Sequence, residues 1–210
     1  MLDNLEVLCH SSIRITGEKT IYIDPYEIKE EYHDADVIFC THAHYDHFSP
    51  QDILKVKKDD SYIVIVEDNI TDALKLGFKQ HEIAIVKPNY RFYVNGVDFV
   101  TTPAYNKNKP FHPKDNEWVG YAITLNNTVY YIAGDTDHIP ELDNVRCDVA
   151  LLPVAGTYTM DYFEAAELAN RIMPKFAIPT HYGSIVGIES DPVNFVKHLH
   201  RDIVGKILMK

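Results

Sequence analysis

Three histidines and one aspartate fall within six residues, His42-Ala43-His44-Tyr45-Asp46-His47, directly behind the apolar run Val37-Ile38-Phe39-Cys40. No other feature of the chain restricts its fold as strongly. A short continuous apolar run reads as a strand buried on both faces. A loop at the end of such a strand can bring side chains two apart onto one ion and turn the next pair toward a neighbouring ion. Neutral imidazole and carboxylate are the ligands that Zn²⁺ and similar first-row ions prefer. A polar surface loop with chance histidines is the bland alternative, and three histidines at this spacing behind a buried strand disfavour it.

The flanking sequence reads as two β-rich halves, each closed by helices. Leu5 to Ile15 is apolar and β-branched, Gly17 marks a turn, and Thr20 to Ile23 forms a strand ending at Asp24-Pro25. Ser49-Pro50 is an N-cap followed by a first-turn proline, which predicts a helix through about Lys57. Tyr62 to Val66 is a strand, and a short helix from Ile70 stops at Gly77. Ile83 to Val86 continues the β pattern. Two hairpins follow, around Asn95-Gly96 and around Asn126-Asn127, and Val149 to Leu152 is a buried strand. Asp161 with Glu164 has the capping-box spacing, Phe176 to Ile178 is a strand leading into Pro179-Thr180-His181, and a last helix begins near Pro192. This order predicts an α/β fold with sheets inside and helices outside. With no repeat or linker in sight, residues 1–210 are expected to form one domain.

Charge narrows the function. A formal net charge of −11 disfavours a nucleic-acid partner, because neutralising phosphates needs clustered Lys and Arg. No apolar run approaches the ~20 residues that span a bilayer, so no membrane partner is expected either. The three cysteines, Cys9, Cys40 and Cys147, have no paired spacing, and together with the lack of a basic, apolar leader they point to a cytoplasmic setting. Lys107, Lys109 and Lys114, with His112 among them, are either a solvated loop or a site for an anionic small molecule.

His-x-His-x-Asp-His behind an apolar strand resembles the signature of the metallo-β-lactamase superfamily. Ile132-Ala133-Gly134-Asp135-Thr136 resembles that superfamily's Gly-Asp strand end, and Pro179-Thr180-His181-Tyr182-Gly183 its last ligand histidine. Leu8-Cys9-His10, Ile23-Asp24-Pro25 and the run Gly156 to Asp161 resemble the branch that contains ascorbate-6-phosphate lactonase and related metal-dependent hydrolases. The resemblance implies a four-layer αββα sandwich. It also implies that His42 and His44 hold one metal, that Asp46, His47 and His181 hold a second, and that Asp135 bridges them. Zn²⁺, one or two per chain, is the implied cofactor, with Mn²⁺ as the alternative. A metal-bound hydroxide would then cleave an ester-like bond, a lactone or a phosphodiester, in a small and anionic substrate, with Asp46 orienting the nucleophile or relaying its proton.

One position departs from the family pattern. The superfamily supplies a further histidine to the first metal shortly after the middle strands, and Asn106 stands there. This leaves open a loosely held ion, a harder ion such as Mn²⁺, recruitment of His112, or a single-metal centre. It is also the main support for a rival reading, a metal-binding sensor or interaction protein without turnover. His10, Lys109, His112 and Tyr158 are the expected substrate contacts, with a structural histidine as the alternative for His10. Asp24 is expected to brace the metal loop by accepting backbone hydrogen bonds. The oligomeric state is not legible.

Overall fold

The computed structural model describes residues 2–209. The first half forms a six-stranded sheet in simple sequence order: β1 (Leu5–Cys9), β2 (Ser12–Ile15), β3 (Ile21–Ile23), β4 (Ala35–Phe39), β5 (Lys57–Ile65) and β6 (Ile83–Ile85). The segment expected as one β stretch from Leu5 to Ile15 is a hairpin. Its turn is at His10, whose φ of 51° reverses the chain. After this antiparallel meander, β3 to β6 run parallel. Parallel neighbours need crossovers, and α1 (Pro50–Val56) and α2 (Ile70–Lys75) serve as two of them.

The second half forms a seven-stranded sheet of β7 (Arg91–Val94), β8 (Val97–Pro103), β9 (Val119–Leu125), β10 (Thr128–Ile132), β11 (Val149–Pro153), β12 (Phe176–Thr180) and β13 (Val204–Gly205), in the order β13-β12-β11-β10-β9-β8-β7. Both expected hairpins are present. Asn95, Gly96, Asn126 and Asn127 all take the positive φ that tight two-residue turns require. Helices α3 (Tyr162–Ile172) and α4 (Ser190–His198) cover this sheet. Asp161 caps α3 through the amides of Phe163 and Glu164, and Glu164 returns a bond to the Asp161 amide. Ser49 precedes α1 as expected, but its hydroxyl bonds the Asp52 carboxylate rather than the helix backbone. Strand β5 begins at Lys57, where helix was expected to persist, because Lys57 pairs with Ala35.

Three apolar cores define the layers. Phe39, Val64, Phe99, Tyr121, Ile132 and Ile178 pack between the two sheets. Ile38, Ile53, Val56 and Ala73 pack α1 and α2 on the outer face of the first sheet. Leu152, Ala165, Leu168 and Phe195 pack α3 and α4 on the outer face of the second. The protein is a four-layer αββα sandwich. No helix among the described residues is long and apolar enough to cross a membrane.

Strands β1, β3, β4, β8, β10, β11 and β12 finish along one edge of the sandwich, at the seam between the sheets. Here the Tyr121 hydroxyl donates to the Cys40 carbonyl (2.7 Å), and the amides of Val119 and His181 reach the carbonyls of Thr41 and His10. These bonds fasten the end of one sheet to the end of the other. The loops leaving these strands carry every residue of the site.

Candidate metal centre

Three groups of ligand-type side chains meet at this edge: His42, His44 and His112; His42, His47 and Asp135; and His10, Asp46 and His181. His42 to His47 leave β4, His112 lies in the β8–β9 loop, Asp135 follows β10 and His181 follows β12. The spacings are short. His42 Nε2 is 3.0 Å from His44 Nδ1, His181 Nε2 is 3.0 Å from Asp135 Oδ2, and His112 Nε2 is 3.3 Å from the same oxygen. His47 Nε2 is 3.3 Å from both Asp46 Oδ2 and Asp135 Oδ1. Two nitrogens bound to one tetrahedral zinc at ~2.0–2.1 Å stand about 3.4 Å apart, so these separations suit the edges of coordination polyhedra.

The polar atoms here are otherwise orphaned. Both ring nitrogens of His10 and of His181, Nε2 of His47 and of His112, and Oδ1 of Asp135 are buried without a hydrogen-bond partner. Leaving one such atom unsatisfied costs about 1–3 kcal/mol. A concentration of them within one cluster, all imidazole or carboxylate, is what residues awaiting cations present. The donor set therefore fits one or two divalent metal ions.

The outer contacts fix which nitrogen faces inward. Asp24 takes the Thr41 amide and hydroxyl (2.8 Å each) and lies 2.7 Å from His47 Nδ1, so that nitrogen carries the hydrogen and Nε2 points to the cluster. The expected bracing by Asp24 thus extends to a ligand-type ring. The Thr41 hydroxyl donates its hydrogen bond to Asp24, so toward His42 Nδ1 (3.0 Å) its oxygen accepts, which turns His42 Nε2 inward. Asn106 does the same for His112. Its amide NH₂ donates to Asp137 (3.0 Å) and to the Tyr158 carbonyl (2.8 Å), both of which only accept. Its Oδ1 is left to receive His112 Nδ1 (3.0 Å) and the His112 amide (3.2 Å). His112 Nε2 then faces Asp135. Asn106 itself is one step behind the cluster, and His112 stands where the sequence lacks a histidine at 106.

Electrostatics keep the donors in usable states. Burial, reinforced by His47, holds His42 well below the ordinary histidine range, and burial with the nearby His112 lowers His44. Burial also lowers His10. Burial opposes the charge on Asp46, but the adjacent His10 and His47 rings outweigh it and keep the carboxyl ionised. Asp135 is likewise held far below the carboxylate range, burial being overcome by His181 and His47. For His47 burial is overcome in the other direction: Asp135 and Asp24 raise it well above its usual value. A cation that takes Nε2 of His47 must displace a proton.

The backbone is strained where it presents these groups. His10, Asp24 and His181 all adopt left-handed φ (51°, 47° and 58°), a conformation costing non-glycine residues about 1–3 kcal/mol each. Gly134, just before Asp135, has φ 67°, and a Cβ there would stand 2.9 Å from the Val119 carbonyl and 3.2 Å from Thr41 Cβ. Gly134→Ala is expected to lower the unfolding free energy of the metal-free chain by about 2–4 kcal/mol, from the conformational penalty plus the clash. A urea titration measures it, and an unchanged midpoint would show that the turn yields without cost.

The cluster opens into a cleft of about 190 Å³ lined by His44, Tyr45, Asp46, Phe111, His112, Asp135, Tyr158 and Ile185. Tyr158 and His112, two of the expected substrate contacts, line the cleft. The other two do not. His10 is fully buried behind Asp46, its Nε2 3.5 Å from Asp46 Oδ2 and its ring 3.9 Å from that of His181. The left-handed turn at the end of β1 aims it inward. Lys109 is bound to Asp137 (2.6 Å) and to the Thr159 carbonyl (2.7 Å), so its charge secures the loop that carries His112. Trp118, Asn106 and Asp137 are the site residues that sequence reasoning missed in these roles. The Trp118 ring lies 4.7 Å from His42, 4.8 Å from His44 and 5.6 Å from His112, and its indole is pinned to Asp68. A larger surface cleft of about 590 Å³ borders Trp118, Lys114 and Glu141, but none of the histidines lines it.

Residues 4–181 match the family model described as a beta-lactamase superfamily domain. A UPF0173 metal-dependent hydrolase of Thermococcus onnurineus is 31% identical over 216 residues, covering 97% of this chain and 94% of that protein. Another from Thermoplasma acidophilum is 28% identical over 207 residues, covering 92% and 90%. Among solved structures, a Parabacteroides distasonis protein assigned to the metal-dependent hydrolases superposes with a TM-score of 0.83 at 30% identity, covering 97% of this chain and 91% of the other. A metallo hydrolase of Ignicoccus hospitalis gives a TM-score of 0.79 at 22% identity, covering 98% and 94%, a likeness of fold.

Proposed function

This chain belongs to the metallo-β-lactamase superfamily, and from that premise we propose that it is a metal-dependent hydrolase acting on an ester-like bond of a small molecule. The observation that carries the reading is the gathered donor set, in which His42, His44 and His112, His42, His47 and Asp135, and His10, Asp46 and His181 each bring ligand atoms together. His42, His44 and His112 would hold one ion, and Asp46, His47 and His181 the second, with Asp135 between them. Zn²⁺ suits these imidazole and carboxylate donors, and Mn²⁺ is the alternative. When bound, such ions acidify water and polarise a carbonyl or phosphoryl oxygen.

The chain's own residues do the rest. Asp24, Thr41 and Asn106 fix the tautomers of His47, His42 and His112, so that no ring must turn when the site fills. Asp46, an ionised carboxylate bordering both the cluster and the cleft, would orient the attacking water by accepting its hydrogen bond. Trp118 walls His42, His44 and His112. The bond cleaved is of carboxylic ester, lactone or phosphodiester type. Three cysteines without disulfide partners support the cytoplasmic setting. The argument for a non-catalytic metal binder rested on Asn106, and with His112 in that place no specific observation favours it.

The test is removal and return of metal. Chelated protein is expected to lose hydrolysis of generic lactone, ester and phosphodiester substrates, and to regain it as Zn²⁺ or Mn²⁺ is added up to two equivalents. Metal bound without turnover of any of these substrates, with Asp46→Ala changing nothing, overturns the reading.

A further inference from the structure

The cleft is lined by two kinds of side chain. His44, Asp46, His112 and Asp135 of its lining belong to the donor cluster, while Tyr45, Phe111, Tyr158 and Ile185 supply the apolar part. The apolar part is left open to solvent, with Tyr45 64% and Phe111 41% exposed. Phe111 and Tyr158 meet edge to face, centroids 4.6 Å apart at 86°, and Tyr45 is propped by Tyr26 at 6.1 Å and 71°. Such rings form a pre-set surface, since aromatic groups favour edge-to-face and offset partners. No Lys or Arg lines the cleft. The nearby cations are engaged elsewhere: Lys109 by Asp137, and Lys114 by Glu141 (2.9 Å) and the face of Tyr105.

We propose that this apolar lining is the subsite for an uncharged aryl group flanking the scissile bond, so that the preferred substrates are neutral aromatic esters or lactones rather than phosphorylated molecules. Size agrees. A cavity of ~150 Å³ accepts a benzene ring, and this cleft offers about 190 Å³. Charge agrees as well, because an anionic tail placed against Tyr45, Phe111 and Ile185 would find no side-chain cation in the lining to pair with. The proposal rests on the hydrolase reading for the identity of the reacting bond, but the subsite itself can be tested without catalysis.

Ligand-detected NMR titration of the metal-free chain uses three unreactive probes: 3-phenylpropanamide, butanamide and phenyl phosphate. The aryl amide is expected to bind at least about tenfold more tightly than butanamide and more tightly than phenyl phosphate. Each aromatic ring removed, in Phe111→Ala or Tyr158→Ala, is expected to weaken the aryl amide about three- to tenfold. Phe111→Leu keeps the apolar volume and should recover part of that loss, and thermal melts establish that each variant is folded. Equal binding of the two amides, indifference to both truncations, or tighter binding of phenyl phosphate overturns the proposal. Aryl binding in a protein that never turns over an ester would leave this subsite standing and remove only the chemistry assigned above.

Discussion

Replacing Asp135 by asparagine is expected to lower kcat/KM on any substrate by ~10⁴-fold or more, equivalent to about 5.5 kcal/mol of transition-state stabilisation. This side chain reaches across the site. Its two oxygens lie 3.3 Å from His47, 3.3 Å from His112 and 3.0 Å from His181, which belong to both proposed ion positions. An amide keeps the shape but gives up the charge and offers only one weakly basic oxygen. Metal analysis is expected to find less than one equivalent retained, and the thermal stabilisation that excess metal confers on the wild type should largely vanish. Full metal content together with near-normal turnover would show that the carboxylate is an onlooker.

His112→Ala is expected to remove one equivalent of metal and about 10³-fold of activity, about 4 kcal/mol. Asn106→Ala should act on the same ion more gently, lowering its affinity by ~10–100-fold, the usual effect of losing a group that orients a ligand. The ordering separates the two roles, because Asn106 touches His112 Nδ1 and not the cluster. Metal titrations followed by equilibrium dialysis give the comparison. If Asn106→Ala empties the site while His112→Ala leaves it filled, the ligand is the amide and the geometric assignment fails.

Much of the site could be read from the residues. His42 to His47 follow a buried strand and announce themselves by spacing, and Asp135 and His181 sit at the ends of strands with family-like neighbours. His112 is different. The loop from Asn106 to His112 closes on itself through the Asn106 amide and the His112 carbonyl, so six residues of separation become direct contact. Nothing in the linear order shows that closure. Lys109 was misread for a related reason: its partners, Asp137 and the Thr159 carbonyl, arrive from two other loops. Local charge makes a lysine look available until distant carboxylates are placed beside it. The layers were more legible, because hydrophobic periodicity and turn residues are local properties. The hairpin at His10 escaped because its turn uses no glycine, asparagine or proline.

The seam between the sheets has a consequence for how the protein comes together. One set of donors hangs from the end of β4 in the first sheet, the other from β8, β10 and β12 in the second. Neither sheet alone holds a complete cage. A cation seated there acts as a clasp joining the halves, and its binding energy becomes part of the energy of docking. Conversely, a chain whose sheets have closed out of register cannot load tightly. Metal occupancy would thus certify correct assembly as well as equip the site for chemistry.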